Sequence, residues 1–358
     1  MSGLAVWSTF VVLAGIIVYA GPRLSRYGDV IAEKTGVGRT WIGVILLALV
    51  TSLPELATSA AAAALSLPDV VFGNVFGSNL FNLVIIGVLD FMTRRGAALH
   101  LASRNHLLTS SYGAMMMALA LLPMVLYNLP GLGFAPVKLL GFIDFTSLLL
   151  IALYVVGMRQ IFLREQEDQR EEPKVLPERY RQVERGRAYW AFLFYGALIV
   201  GAGIGLGYTA EIISSYQIPL FGRSFVIGQS LVGIVLMAVV TSLPELMVSI
   251  GAVRLGAVDM AVGNVLGSNM FNMLIIGLAD FFYPAGSLLN RPTMLGAAKM
   301  TGLASHIVTG LGGIFLTGIV AATLARRARS DRRVALSTPV LFAVFLAIYA
   351  LLFGINFQ

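Results

Sequence analysis

One stretch of forty residues occurs twice in this 358-residue chain, and the repetition limits the folds open to it. The first copy, Thr51 to Asp90, reads TSLPELATSAAAAALSLPDVVFGNVFGSNLFNLVIIGVLD. The second, Thr241 to Asp280, reads TSLPELMVSIGAVRLGAVDMAVGNVLGSNMFNMLIIGLAD. Adding 190 to a position in the first gives its partner in the second, and 22 of the 40 positions are identical. Many identities are polar: Thr51/Thr241, Ser52/Ser242, Glu55/Glu245, Asn74/Asn264, Ser78/Ser268, Asn79/Asn269, Asn82/Asn272 and Asp90/Asp280. Polar groups kept in duplicate within an apolar chain imply a site built where two repeats meet.

The chain is 58% hydrophobic and 12% charged, with mean hydropathy +0.84. So little charge over this length reads as a polytopic membrane protein of the cell membrane. The absence of cysteine rules out a disulfide framework and thiolate metal sites, and three histidines without an HExxH motif argue against a conventional zinc centre. The net charge of +7 does not point to nucleic acid, because the basic residues sit in short loops between apolar spans. The N-terminus lacks a basic n-region and reads as a retained helix.

A spanning helix needs about 20 apolar residues. Ten candidates are expected, near 4–20, 40–65, 70–92, 106–127 and 137–158, then near 189–213, 229–253, 260–283, 301–324 and 337–356. With both termini outside, alternate loops collect 21 of the 25 basic residues, leaving Lys138, Arg223, Arg291 and Lys299. That asymmetry obeys the positive-inside rule and would be lost if one helix were miscounted. Five spans per half make the second copy upside down relative to the first. The expected fold is therefore an all-α membrane protein with ten transmembrane helices in two inverted five-helix repeats. Residues 1–160 form the first repeat, 161–188 a solvated cytoplasmic linker and 189–358 the second repeat. Eight basic and seven acidic residues between Arg159 and Arg187 nearly cancel.

The repeated motif suits a hard cation. Pro54 and Pro244 each remove a backbone donor and free the carbonyls of Val50 and Val240, loosening Thr51 and Thr241. Broken backbone at membrane depth survives only where protein buries it or a cavity borders it. One residue later stand Glu55 and Glu245, each costing at least about 2–3 kcal/mol at that depth. Two such carboxylates facing each other would repel without a cation between them. The GNVxGSNxFN segment adds neutral oxygens from Ser78, Asn79 and Asn82, mirrored by Ser268, Asn269 and Asn272, while Gly73, Gly77, Gly263 and Gly267 permit close helix approach. Asp90 and Asp280 read equally as ligands or as interfacial acids. Asp144 and His306 are single and read as core or interfacial residues.

The paired TSLPEL…GNVxGSNxFN segments closely resemble the alpha repeats of the cation/calcium exchanger superfamily, in particular a prokaryotic member of its sodium/calcium exchanger branch. The resemblance implies a multi-pass protein of the prokaryotic inner membrane, with a cluster of ion sites between the halves. Glu55 and Glu245 would be its central carboxylates, and the carbonyls of Thr51 and Thr241 would complete a calcium site. Ser52, Ser242, Ser78 and Ser268 would stand at sodium-coordinating positions, and Asn82 and Asn272 would line the centre. In that family the first and sixth helices slide past the rest. Two departures stand out: Val50 and Val240 replace the usual glycine before TSLPEL, and Asn272 stands where many prokaryotic relatives carry aspartate.

The expected function is a Ca²⁺/Na⁺ antiporter working by alternating access, with transported ions but no cofactor, no enzymatic activity, the bilayer as partner and a monomeric state. The alternatives are the same fold carrying Mg²⁺ or Mn²⁺, or coupled to H⁺. A cation channel would instead pass current without counter-ion exchange. An intramembrane hydrolase would need a catalytic dyad or metal–histidine motif that this sequence lacks.

Overall fold

The computed structural model describes residues 3–93, 96–128, 135–139, 143–171, 179–214, 216–220, 223–226, 240–284, 286–290, 297–326, 335 and 337–356. Helix α1 spans Gly3–Thr35. Helix α2, Arg39–Thr51, is bent by 45° from α3, Leu53–Ala64. Helix α4 spans Pro68–Met92, α5 His106–Asn128, α6 Phe145–Glu171 and α7 Arg185–Ser214. In the second half, α8 spans Leu243–Arg254, α9 Val258–Asp280, α10 Ala297–Arg326 and α11 Ser337–Asn356. Eight of these are long and apolar enough to cross a membrane, or nine if α2 and α3 form one bent span. The first part of the expected seventh span 229–253, residues 229–239, lies outside the described residues, which resume at Val240, and its end is α8.

Several boundaries differ from the sequence expectation. Helix α1 runs to Thr35 rather than ending near residue 20. Past the apolar run it buries Leu24, Ser25, Gly28 and Asp29, and Lys34 in its last turn complements the helix dipole. At about 1.5 Å per residue it is longer than a bilayer core is thick. Helix α6 starts at Phe145, where the backbone N–H of Thr146 donates to Asp144 Oδ1 at 2.8 Å, and continues to Glu171. Along its exposed end Arg164 pairs with Glu167 at 3.2 Å and with Asp168 at 3.9 Å, which adds modest helical support. The stretch expected as a solvated linker is thus partly helix, and its end is docked. Backbone N–H groups of Arg179 and Tyr180 donate to Glu33 at 3.1 Å each. The Tyr180 hydroxyl donates to Asp29, which also holds Arg39 in a two-point ion pair. Burial and the neighbouring Asp29 carboxylate push Tyr180 up to about 12. The fold is also not purely helical, since two small antiparallel hairpins pair Lys138–Leu139 with Ile143–Asp144 and Gln217–Leu220 with Arg223–Val226.

Helices α4 and α9 form the centre. The most apolar 18-residue window is 78% buried in α4 and 94% in α9, against 17% in α1, so the repeated GNVxGSNxFN helices are enclosed by the others. Small residues let α9 lie directly on the α2 backbone. A Cβ on Gly267 would come within 2.3 Å of the Val44 carbonyl oxygen, and one on Gly263 within 3.0 Å of that of Thr40. Helix α2 meets α9 through a π-helical turn, Ile42–Leu47, which brings Gly43 against Met260.

Candidate cation site

The two TSLPEL segments fold alike. Ser52 (φ −96°, ψ 4°) and Ser242 (φ −96°, ψ 17°) leave helical geometry, and a new helix starts at the next residue with proline in its first turn. That places Glu55 and Glu245 in the first turns of α3 and α8, where a helix dipole favours a carboxylate. Glu55 is 3% exposed and Glu245 1%. Asn74 fixes the first glutamate's backbone, donating to the Glu55 carbonyl at 3.3 Å and to Ser59 Oγ at 3.0 Å. Asn264 repeats both bonds, to the Glu245 carbonyl at 3.3 Å and to Ser249 Oγ at 3.0 Å. Asn74 and Asn264 were legible only as repeated residues; Ser59 and Ser249 recur equally and acquire their roles from this pairing.

Hydroxyl groups cross between the halves. Ser52 Oγ donates to Glu245 Oε1 at 3.3 Å. Thr51 Oγ1 lies 3.3 Å from Ser268 Oγ and donates to Asn264 Oδ1 at 3.3 Å. Asn79, Asn82, Asn269 and Asn272 form a second cross-link. Asn79 and Asn269 each donate to the other's backbone carbonyl, at 3.3 and 3.2 Å. Asn82 donates to Asn269 Oδ1 at 3.0 Å and Asn272 to Asn79 Oδ1 at 2.9 Å. Asn79 and Asn269, expected to offer oxygens to an ion, spend them on these amides instead.

Of the ten expected site residues, Thr51, Ser52, Glu245 and Ser268 are linked by these hydroxyl contacts, and Asn82 and Asn272 belong to the amide cluster. Glu55, Ser78 and Thr241 line one cavity of about 440 Å³, which extends to the exposed Val70 and Glu211. Within the two motif copies, the buried side-chain oxygens with no hydrogen-bond partner are both carboxylate oxygens of Glu55, Oε2 of Glu245, Oγ of Ser78 and Ser242, and Oδ1 of Asn82 and Asn272. Burying polar oxygens without partners is costly, so such a concentration marks a place for a donor or a cation. No group of three His, Cys, Asp or Glu side chains suited to a metal occurs among the described residues. The charge here is that of two glutamates, and the remaining oxygens are neutral, a donor set that fits hard cations.

Other candidates are placed elsewhere. Asp90 accepts from the backbone N–H groups of Ala98 at 2.7 Å and Ala335 at 2.9 Å, and from the Thr338 hydroxyl. Asp280 accepts from the N–H groups of Leu288 at 2.7 Å and Asp144 at 2.8 Å. Both tie a helix end to its following loop. Asp144 also accepts from Ser287 Oγ at 2.8 Å, and His306 pairs with Asp69 at 2.9 Å, so neither stands alone.

The family model for sodium/calcium exchanger proteins matches residues 5–162 and 188–354. The chain belongs to this family. Among its curated relatives, the sodium/calcium exchanger MaX1 of Methanosarcina acetivorans is 29% identical over 76% of this chain and 83% of its own length. The inner membrane protein YrbG of Escherichia coli is 27% identical over 75% of this chain and 77% of its own. A solved structure of the sodium-calcium exchanger NCX_Mj soaked with Na⁺ and Ca²⁺ superposes with TM-score 0.64, covering 98% of this chain and 99% of that one at 19% identity. The fold is that of this exchanger, and the chain is a multi-pass membrane antiporter of the cation/Ca²⁺ exchange class.

Proposed function

We propose that the protein exchanges Ca²⁺ for Na⁺ by alternating access at one cage of oxygens between two inverted repeats. Glu55 and Glu245 supply the charge. Oxygens of Thr51, Thr241, Ser52, Ser242, Ser78, Ser268, Asn82 and Asn272 complete the cage, and the two ions compete for it. The observation that carries the reading is the set of buried oxygens without partners, drawn from both copies of the motif. The five carboxylate and amide oxygens can only accept, the two serine hydroxyls can also accept, and the amide nitrogens of Asn79, Asn82, Asn269 and Asn272 are turned into their own cluster. A cation satisfies such a set, and an anion does not.

On the ten-span arrangement with both termini outside, Val70 at the start of α4 and Glu211 near the end of α7 lie on the outer face. The cavity beside Glu55 then leads outward, and this conformation would load ions from outside. The reading is supported by the family and by a relative named for sodium/calcium exchange. The deciding experiment is ⁴⁵Ca²⁺ uptake into proteoliposomes, with an imposed Na⁺ gradient, with a pH gradient and with neither. Uptake driven by Na⁺ is the expected result. Uptake driven only by the pH gradient makes the protein a proton-coupled exchanger, and Ca²⁺ current without counter-ion dependence makes it a channel.

A further inference from the structure

We infer that Asn79 and Asn269 are positioning residues, which hold Asn82 and Asn272 with their amide oxygens toward the ions and their nitrogens away. The inference rests on the exchange site proposed above and explains how its neutral ligands keep the correct polarity.

An amide side chain offers an oxygen on one side and a nitrogen on the other, and a half-turn exchanges them. An ion site built on asparagine therefore needs something to fix the turn. A backbone carbonyl can only accept, so it serves as a reference. Asn79 Nδ2 lies 3.3 Å from the Asn269 carbonyl, which fixes the nitrogen side of Asn79. Its oxygen must then face the other way, where Asn272 Nδ2 meets it at 2.9 Å. That contact takes up the nitrogen of Asn272 and leaves Oδ1 buried without a partner. The mirrored chain runs from the Asn79 carbonyl through Asn269 Nδ2 at 3.2 Å, then from Asn269 Oδ1 to Asn82 Nδ2 at 3.0 Å, and leaves Asn82 Oδ1 in the same condition. Two main-chain carbonyls thus set the direction of two site oxygens. All four side chains are at most 2% exposed, so water does not compete for these bonds. A flipped Asn82 or Asn272 would point N–H groups at a cation and meet an oxygen with an oxygen inside the cluster.

The test is a thermodynamic cycle on the purified full-length protein, reading Ca²⁺ affinity by calorimetry. Asn269→Ala removes the acceptor that orients Asn82 and is expected to weaken Ca²⁺ binding roughly tenfold. A carboxylate has two equivalent oxygens and no wrong face. In an Asn82→Asp background, where Asn269 Oδ1 already meets an oxygen, Asn269→Ala should therefore cause no loss of affinity. An equal loss in both backgrounds means that Asn269 acts through packing, and overturns the inference. If Asn269→Ala does not fold, Asn79→Ala with and without Asn272→Asp gives the mirrored cycle, judged the same way. Asn82→Ala separates the two levels of the argument. If it weakens Ca²⁺ binding while Asn269→Ala and Asn79→Ala do not, the positioning role fails alone. If it leaves affinity unchanged, the exchange site itself is misplaced, and this inference falls with it.

Discussion

Asn74 in the first copy and Asn264 in the second make the same two bonds, to a glutamate carbonyl nineteen residues back and a serine hydroxyl fifteen back. Asp90 and Asp280 likewise each accept the N–H eight residues ahead. The carboxylates between these anchors do not match. Glu245 receives the Ser52 hydroxyl, whereas both oxygens of Glu55 and the Ser242 hydroxyl have no partner. Residues that fix the backbone and the four central asparagines keep the two-fold relation, and the glutamates with their serines break it. A symmetric frame around an unequal centre suits a device whose halves exchange roles, as alternating access between inverted repeats requires.

The largest expected effect tests whether both halves of that centre are needed. Glu55→Gln and Glu245→Gln should each reduce Na⁺-driven Ca²⁺ flux by roughly 100-fold or more, because either change leaves one carboxylate against a divalent ion. Purified protein of normal size-exclusion profile, assayed in proteoliposomes, checks it. Loss with one variant and full flux with the other would mean that one copy alone carries the site.

Helix α7 touches both kinks, which gives the second prediction. A Cβ on Gly203 would come within 2.6 Å of Pro54 Cγ and 3.8 Å of Pro244 Cγ. Gly203→Val should wedge α7 against the first copy more than the second. Overpacking of this kind costs on the order of 1–3 kcal/mol, so flux is expected to fall roughly tenfold while equilibrium Ca²⁺ affinity changes little. Equal losses in flux and affinity would place the effect in the site rather than in the motion of α7. Val50 seats against Gly196 on the same helix, 3.3 Å from where a Cβ would stand there, so a valine before TSLPEL is accommodated by a glycine across from it.

Much of this arrangement was legible in the chain, because a polar residue duplicated within an apolar segment must have a partner. The carboxylates, the prolines and the Ser/Asn oxygens were all readable from Thr51–Asp90 and its copy. The directions of the amides were not. Spacing places Asn79 and Asn82 near one another but says nothing of which atom faces an ion, and Asn79 turned out to orient a neighbour. Helix ends were also hidden. Hydropathy stops near residue 20 of α1, yet the helix continues because Asp29 and Glu33 are met by Arg39 and residues 179–180, partners distant in sequence. His306 and Asp144 looked solitary for the same reason, their partners Asp69 and Ser287 being 237 and 143 residues away.

The inequality at the centre predicts a difference between two equivalent serines. Ser52→Ala and Ser242→Ala should each slow exchange only a few-fold, each removing one neutral oxygen. They should separate in ion-free protein. Ser52→Ala removes a donor from Glu245 and should lower Tm by a degree or more, whereas Ser242→Ala, whose hydroxyl has no partner here, should leave Tm unchanged. Differential scanning fluorimetry in Na⁺- and Ca²⁺-free buffer decides it. Identical shifts would show that the two halves are equivalent without ions and that the asymmetry described above is not a property of that state.

The smallest effect on exchange is expected at Asp90 and Asp280, and it separates anchor from ligand. Each carboxylate is 1% exposed and saturated by donors. Asp90 takes two backbone N–H groups and the Thr338 hydroxyl, and so ties the end of α4 both to the loop after it and to the start of α11. Asp280 does the same between α9, Leu288 and the backbone N–H of Asp144. A carboxylate with its lone pairs already taken has little to offer a transported ion. Asparagine in its place keeps one acceptor but turns an NH₂ toward a backbone N–H, donor against donor, leaving one buried group unsatisfied. Hydrogen bonds to charged groups contribute about 1.5–3 kcal/mol. Asp90→Asn and Asp280→Asn should therefore lower Tm by a few degrees, on the order of 5 °C at most for a chain of this length. Ca²⁺ affinity, measured by calorimetry on the surviving folded fraction, should stay within about twofold of wild type, because the lost bonds lie at the helix ends and not among the unpartnered oxygens. A tenfold loss of affinity with unchanged Tm would move these aspartates from the frame to the ion path, and the contrast between a symmetric frame and an unequal centre would no longer hold.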